Sequence, residues 1–76
     1  MRETGLTDNE KELIRAMADH DMNVNAAARA MYHHRNSVIY HVEKIKHKTG
    51  LDPRRFYDLV SLIVLIDEEE DNGERT

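Results

Sequence analysis

Residues 23–51 read NVNAAARAMYHHRNSVIYHVEKIKHKTGL, and this stretch predicts two helices joined by a tight corner. The first, near 25–32, is an alanine-rich run behind an asparagine that can cap it, and small side chains let another helix approach its backbone closely. The second, near 35–49, ends at Gly50, where a left-handed C-terminal cap needs glycine. Its apolar residues Val38, Val42 and Ile45 fall at i, i+4 and i+7, one buried stripe. Away from that stripe lie Arg35, Asn36, Ser37, Tyr40, His41, Lys44 and Lys48. These are donors and stacking groups of the kind that reach phosphates and base edges.

Working outward, Thr7-Asp8-Asn9-Glu10 has the pattern of a capping box, with Leu6 before it as a hydrophobic staple. It predicts a helix over about 8–20, with Leu13, Ile14 and Met17 as its packing stripe. On the other side, Asp52-Pro53 has the form of an N-cap followed by proline in the first helical position, and predicts a last helix near 53–69. From Phe56 to Ile66 that helix is apolar apart from Asp58 and Ser61. A helix apolar around most of its circumference needs two faces covered. One face, such as Phe56, Val60 and Ile63, is expected to pack inward. The other, including Leu62 and Leu65, is expected to meet a second copy, with Phe56, Leu59, Leu62, Leu65 and Ile66 as the dimer contact. The alternative is that the three short helices wrap the last one completely.

The helix pair is similar to the C-terminal helix-turn-helix of PucR-type (purine-catabolism regulator) transcription factors, and more distantly to the DNA-binding half of the factor for inversion stimulation. His34, Asn36, Tyr40, Ile45 and Thr49-Gly50-Leu51 stand in register with the PucR pattern, and Ser37 replaces a threonine. The resemblance implies a regulator that reads the major groove with the helix at 35–49. Arg35 and Asn36 in its first turn would meet base edges, and Asn25, Arg29, His34, Ser37, Tyr40, His41, Lys44 and Lys48 complete the expected DNA contact set. Asn36 has a structural alternative as a helix cap, His34 as a residue bonded within the corner, and Tyr40 as a packing residue. His33 stands where the family usually has an apolar residue, Ile39 and Glu43 where basic residues are common, and His41 in place of an arginine. The reading face is therefore less cationic than is usual for the family. PucR-type proteins carry this module behind large sensor domains; if the 76 residues are the whole product, it would read DNA without sensing a ligand itself.

Composition bounds these readings. Seventy-six residues make one domain, expected as an ordered core over 6–66 and an acidic, partly disordered tail over 67–76 that loses order beyond about Glu70. The absence of cysteine removes disulfides and thiolate metal sites. Net charge is −4, but residues 25–50 hold five Lys/Arg against one Asp/Glu, while 67–76 hold one against six. The positive segment is the one that resembles a DNA reader, and local sign outweighs the total once distant charges are screened. His34 and His41 lie about 10.5 Å apart along a helix axis, too far to share one ion. No metal, cofactor or small-molecule ligand is expected. No phosphate loop or nucleophile elbow is present, so an enzyme is not expected. Neither a secretory leader nor an apolar run of bilayer length is visible, which fits a cytoplasmic, nucleoid-associated location. The expected architecture is all-α, a four-helix domain dimerising through its last helix, with double-stranded DNA and a second copy as partners. The rival function is a helical adaptor that has lost DNA affinity and binds a protein through that apolar helix.

Overall fold

The computed structural model describes residues 4–74, with side chains through Glu70. Four helices succeed one another: α1 (Asp8–Asp19), α2 (Val24–Ala30), α3 (Arg35–Thr49) and α4 (Phe56–Glu74). Helix α1 packs on each of the other three, and α2 packs on α3.

The capping box at Thr7 forms as its sequence pattern predicts. Thr7 Oγ1 accepts from the Glu10 N–H at 3.1 Å, and Glu10 Oε1 accepts from the Thr7 N–H at 2.9 Å. Leu6, Leu13, Ile14 and Met17 carry the same end of the chain into the core. The chain leaves α1 through Asp21 and Met22, both with positive φ (57° and 65°). Two consecutive non-glycine residues in that region cost roughly 1–2 kcal/mol each. Hydrogen bonds from Met22 N to Met17 O (2.6 Å) and from Asn23 N to His20 O (3.0 Å) hold the turn. It delivers Asn23 as the N-cap of α2, with its side chain accepting from Ala26 N at 3.0 Å.

Ala27 and Ala28 of α2 are buried where α2 packs on α3 and α1. The corner turns on Tyr32 (φ 57°) and is closed by His33 N donating to Ala28 O at 2.8 Å. In α3, Val38, Val42 and Ile45 are fully buried, and Gly50 ends the helix at φ 76° with its N–H on Lys46 O. A side chain there would meet the left-handed penalty even though space is free around it.

Two expectations for α4 are corrected. Asp52 does not cap the helix. Its carboxylate accepts from the backbone N–H of Arg54 at 2.8 Å and its carbonyl from Arg55 N at 2.9 Å, so Asp52-Pro53-Arg54-Arg55 is a turn of its own. The helix opens only at Phe56, with Leu59 N bonding Arg55 O. The inward face differs from the expected one as well. Leu59, Leu62 and Ile66 are buried in the core and Leu65 is half-buried, while Phe56 and Val60, expected inside, are exposed. Burial inside one chain takes Leu59, Leu62 and Ile66 off any surface that a second copy could touch.

The start of the acidic segment is held against α1. Lys11 pairs with Glu69, Arg15 Nη2 reaches Asp67 at 3.2 Å and Glu70 at 2.8 Å, and Thr4 N donates to Glu69 Oε2 at 3.0 Å. Backbone remains helical to Glu74; the expected loss of order beyond about Glu70 falls on side chains 71–76 and on residues 75–76, outside the described residues.

Candidate nucleic-acid interface

The candidate interface lies on α3, whose inner face is fixed by the fully buried Val38, Val42 and Ile45. At roughly 100° per residue, the direction opposite that stripe is occupied by Asn36, Tyr40, Lys44 and His47, all exposed. His34 is the N-cap and its side chain makes no capping bond. Asn36 therefore sits in the first turn, not at the cap, and its amide is left to the surface. The first bond of the helix runs from Val38 N to His34 O at 3.1 Å, so the N–H groups of Arg35, Asn36 and Ser37 precede the helical ladder and point out of its mouth, a favourable place for an anion.

A ring cluster organises the middle of this face. His33, from the corner, lies 6.1 Å from His41, which meets Tyr40 edge-on at 5.4 Å. Lys44 Nζ stands 5.6 Å from the centre of the Tyr40 ring. This contact of cation and ring holds the ammonium in front of the helix. Tyr40 is exposed, so it packs across the face instead of into the core. On α2, Asn25 and Arg29 are exposed beside the corner. His47 joins this face without belonging to the contact set expected from sequence, although it lies seven positions after Tyr40 on the same stripe; helical spacing is the signal that points to it.

Lys48 also pairs within the fold. Its Nζ is 2.7 Å from Glu10 Oε1, a carboxylate nearly closed to solvent at the start of α1. Burial pushes the Glu10 carboxyl up, but hydrogen bonds from Lys48 and the Thr7 N–H outweigh it and hold the group below the usual carboxylate range. The ammonium expected to face phosphate is thus engaged in joining α3 to α1. A similar clamp lies at the opposite flank, where Arg54 Nη2 bridges Glu43 Oε2 and Asp52 Oδ2 at 3.0 Å each. Burial raises the Asp52 carboxyl while the Arg54 guanidinium and N–H lower it further, leaving it below its ordinary value. Glu43, the acid on a face that should attract DNA, is met by Arg54 and, at 3.9 Å, by Lys46.

This arrangement is a short capped helix set against the base of a longer one, with the longer helix offering amides, cations and rings outward. Residues 11–66 match the family model for the PucR C-terminal helix-turn-helix domain. The chain belongs to that family. Comparison with curated proteins and with solved structures gives no match. The PucR match takes in all of α2 and α3 and stops at Ile66, where the acidic segment begins. Among the described residues, no group of three or more His, Asp or Glu is placed to hold a metal ion, and no helix is long and apolar enough to cross a membrane.

Proposed function

We propose that this PucR-type domain is a sequence-specific DNA-binding transcription regulator that lays the N-terminal half of α3 in the major groove. The observation that carries the reading is the division of α3: Val38, Val42 and Ile45 are fully buried, while Asn36, Tyr40, Lys44 and His47 are turned to solvent. Arg35 and Asn36 read base edges, the former by bidentate bonding to guanine and the latter to adenine. His34, Ser37, His41 and Lys44 hold phosphates from α3, and Asn25 and Arg29 do so from α2. A twofold pair of chains belongs to the same reading, because two reading helices a turn of DNA apart gain what one short helix cannot.

Duplex binding measured against salt tests this. Affinity should fall linearly in log–log form. Asn36→Ala should lose about 1–3 kcal/mol and relax preference at one base pair, whereas Lys44→Ala should weaken all sequences alike and lower the salt slope by about 1. A flat salt response would transfer support to the adaptor reading, which the exposed Phe56, Tyr57, Val60 and Val64 of α4 favour.

A further inference from the structure

His34, Ser37, His41, Lys44 and Lys48 follow one another at spacings of three and four, so they line one flank of α3 from its N-cap to its last turn. Lys48 is committed to Glu10 at 2.7 Å. Lys44 is then the one permanent cation of this flank without a carboxylate partner among the described residues, its ammonium standing over the Tyr40 ring. The remaining nitrogen donors are imidazoles. His34 stands at the helix mouth with a side chain that makes no capping bond, and His41 is half-buried, with the His33 ring at 6.1 Å and the Tyr40 ring at 5.4 Å. None of the three histidines makes an ion pair among the described residues.

No acidic residue occurs from Met22 through Val42, so α2, the corner and the first half of α3 offer these rings no carboxylate. From α2 the charged group beside the corner is Arg29, and from the corner itself His33. From α1 the acid turned toward α3 is Glu10, taken by Lys48; Asp8, Glu12 and Asp19 are exposed on the side away from its buried Leu13 and Met17. The turn before α4 brings Arg54 and Asp52, which meet Glu43 on the other side of α3. We propose that this flank is a proton-dependent phosphate clamp: binding of DNA draws protons onto His34 and onto the pair His33 and His41, so that affinity for DNA falls as pH rises from about 6 to 8. A phosphate beside an imidazole favours its cationic form, so the bound state holds more protons than the free one, and binding is tight at low pH and weakened as pH rises. Two imidazolium rings 6.1 Å apart repel, which limits that pair to one charge at first. Two added charges then join Arg35 and Lys44, the cations of α3 without a carboxylate partner among the described residues. The inference rests on the DNA-binding reading of α3 and adds regulation of that same site by proton concentration.

Fluorescence anisotropy of the full chain on a labelled duplex of mixed sequence, with salt titrations at about pH 6 and about pH 8, tests it. Across that interval the carboxyls of Glu10, Asp52 and Glu69, all held below their ordinary values, keep their charge and do not contribute. Affinity should be about tenfold or more higher at the lower pH, and the salt slope there steeper by about 1–2, roughly one for each phosphate neutralised. His34→Gln and His41→Gln should each remove part of the difference, and the double variant nearly all of it, with thermal melts at both pH values showing that the fold is kept. His41→Arg carries a charge that does not titrate in this interval and should bind more tightly than the parent at the higher pH. His20→Gln, at the C-cap of α1, should leave the profile unchanged. Salt-dependent binding that is the same at both pH values, a pH dependence kept in the folded double variant, or a His41→Arg chain no tighter than the parent at the higher pH would each overturn the clamp while the reading of α3 stands. Absence of salt-dependent duplex binding at either pH would instead overturn that reading, and the clamp with it.

Discussion

Lys48 tests the division between a residue that holds the fold and one proposed to hold DNA. Its ammonium lies 2.7 Å from Glu10 Oε1, with side-chain exposures of 29% for Lys48 and 3% for Glu10. Lys48→Met keeps the aliphatic stem and strands the carboxylate in a site closed to water, with only the Thr7 N–H against it. Removing one partner of a fully buried pair costs about 3–5 kcal/mol. The lysine end here is partly solvated and one hydrogen bond survives, so about 2 kcal/mol is the appropriate magnitude. Against a total of about 4–11 kcal/mol for a chain of this length, that is a drop in Tm of roughly 8–16 °C. Glu10→Gln should cost less, about 1 kcal/mol, because an uncharged amide is cheaper to bury and still accepts from Thr7. Combining the two substitutions should recover part of the Lys48→Met loss, since the stranded charge is then gone. Protonating Glu10 likewise removes the stranded charge, and because burial without Lys48 raises its carboxyl in the variant, the gap between parent and Lys48→Met should narrow as pH falls through the usual carboxylate range. Thermal melts from pH 3 to 7 measure all of this, and DNA titrations in salt supply the contrast. The salt slope of Lys48→Met should equal that of the parent wherever the variant is folded. An unchanged Tm with a slope lowered by about 1 would refute this assignment and return Lys48 to the phosphate contacts.

Arg54→Ala should expose Glu43 on the reading face, weakening DNA binding about two- to fivefold at low salt with little change in sequence preference; Glu43→Gln in the same chain should restore it, as salt-dependent binding isotherms would read. Glu10, Asp52 and Glu69 all have carboxyls held below their ordinary values in the folded chain. Their stabilisation is present above the usual carboxylate range and lost as pH falls through the depressed folded values, so Tm should be level from pH 7 to 5 and decline below about pH 4, as a calorimetric series would measure. Removing residues 71–76 keeps the contacts of Lys11 and Arg15 while taking away negative charge, and should raise the DNA association rate at low salt. Truncation after Ile66 also takes away Asp67, Glu69 and Glu70 and should lower Tm in the same melts chiefly through the half-buried Lys11–Glu69 pair, since the exposed Arg15 pairs contribute little.

The parts of the fold legible in the sequence are those governed by residues within a turn of one another. Thr7 and Glu10 are three apart and satisfy each other's N–H groups, so the start of α1 is written in four letters. Val38, Val42 and Ile45 repeat at helical spacing, and apart from Ile39 and Tyr40 the residues between them are polar, so α3 has one dominant face to bury. Gly50 marks its end because the conformation found there, φ 76°, is one that glycine reaches without strain. Locality is also where legibility stops. Asp52-Pro53 satisfies the pattern of a helix start and of an isolated turn equally well, and the deciding residue is Asp58, six positions on, whose carboxylate accepts the Asp52 N–H at 3.1 Å.

The inward face of α4 is illegible in the sequence for a different reason. With nine apolar residues among the eleven from Phe56 to Ile66, every helical phase offers a usable stripe, and periodicity carries almost no information about which one is inside. Phase is settled by packing on α1, which the sequence of α4 alone does not contain, and the charges agree with it: Glu69 meets Lys11, and Asp67 and Glu70 meet Arg15, with Leu59, Leu62 and Ile66 buried and Tyr57, Val60 and Val64 outside. Lys48 shows the same logic in reverse: on α3 alone it belongs to the cationic flank, and only the fold brings in Glu10 from 38 positions away. Net positive charge on a reading helix therefore overstates what is available to phosphate, because part of it is committed to carboxylates from other helices. On α3 that leaves Arg35 and Lys44 as the cations without a carboxylate partner among the described residues, so the DNA-binding function proposed above would draw on Asn36 amide bonding and Tyr40 contact as well as on phosphate neutralisation.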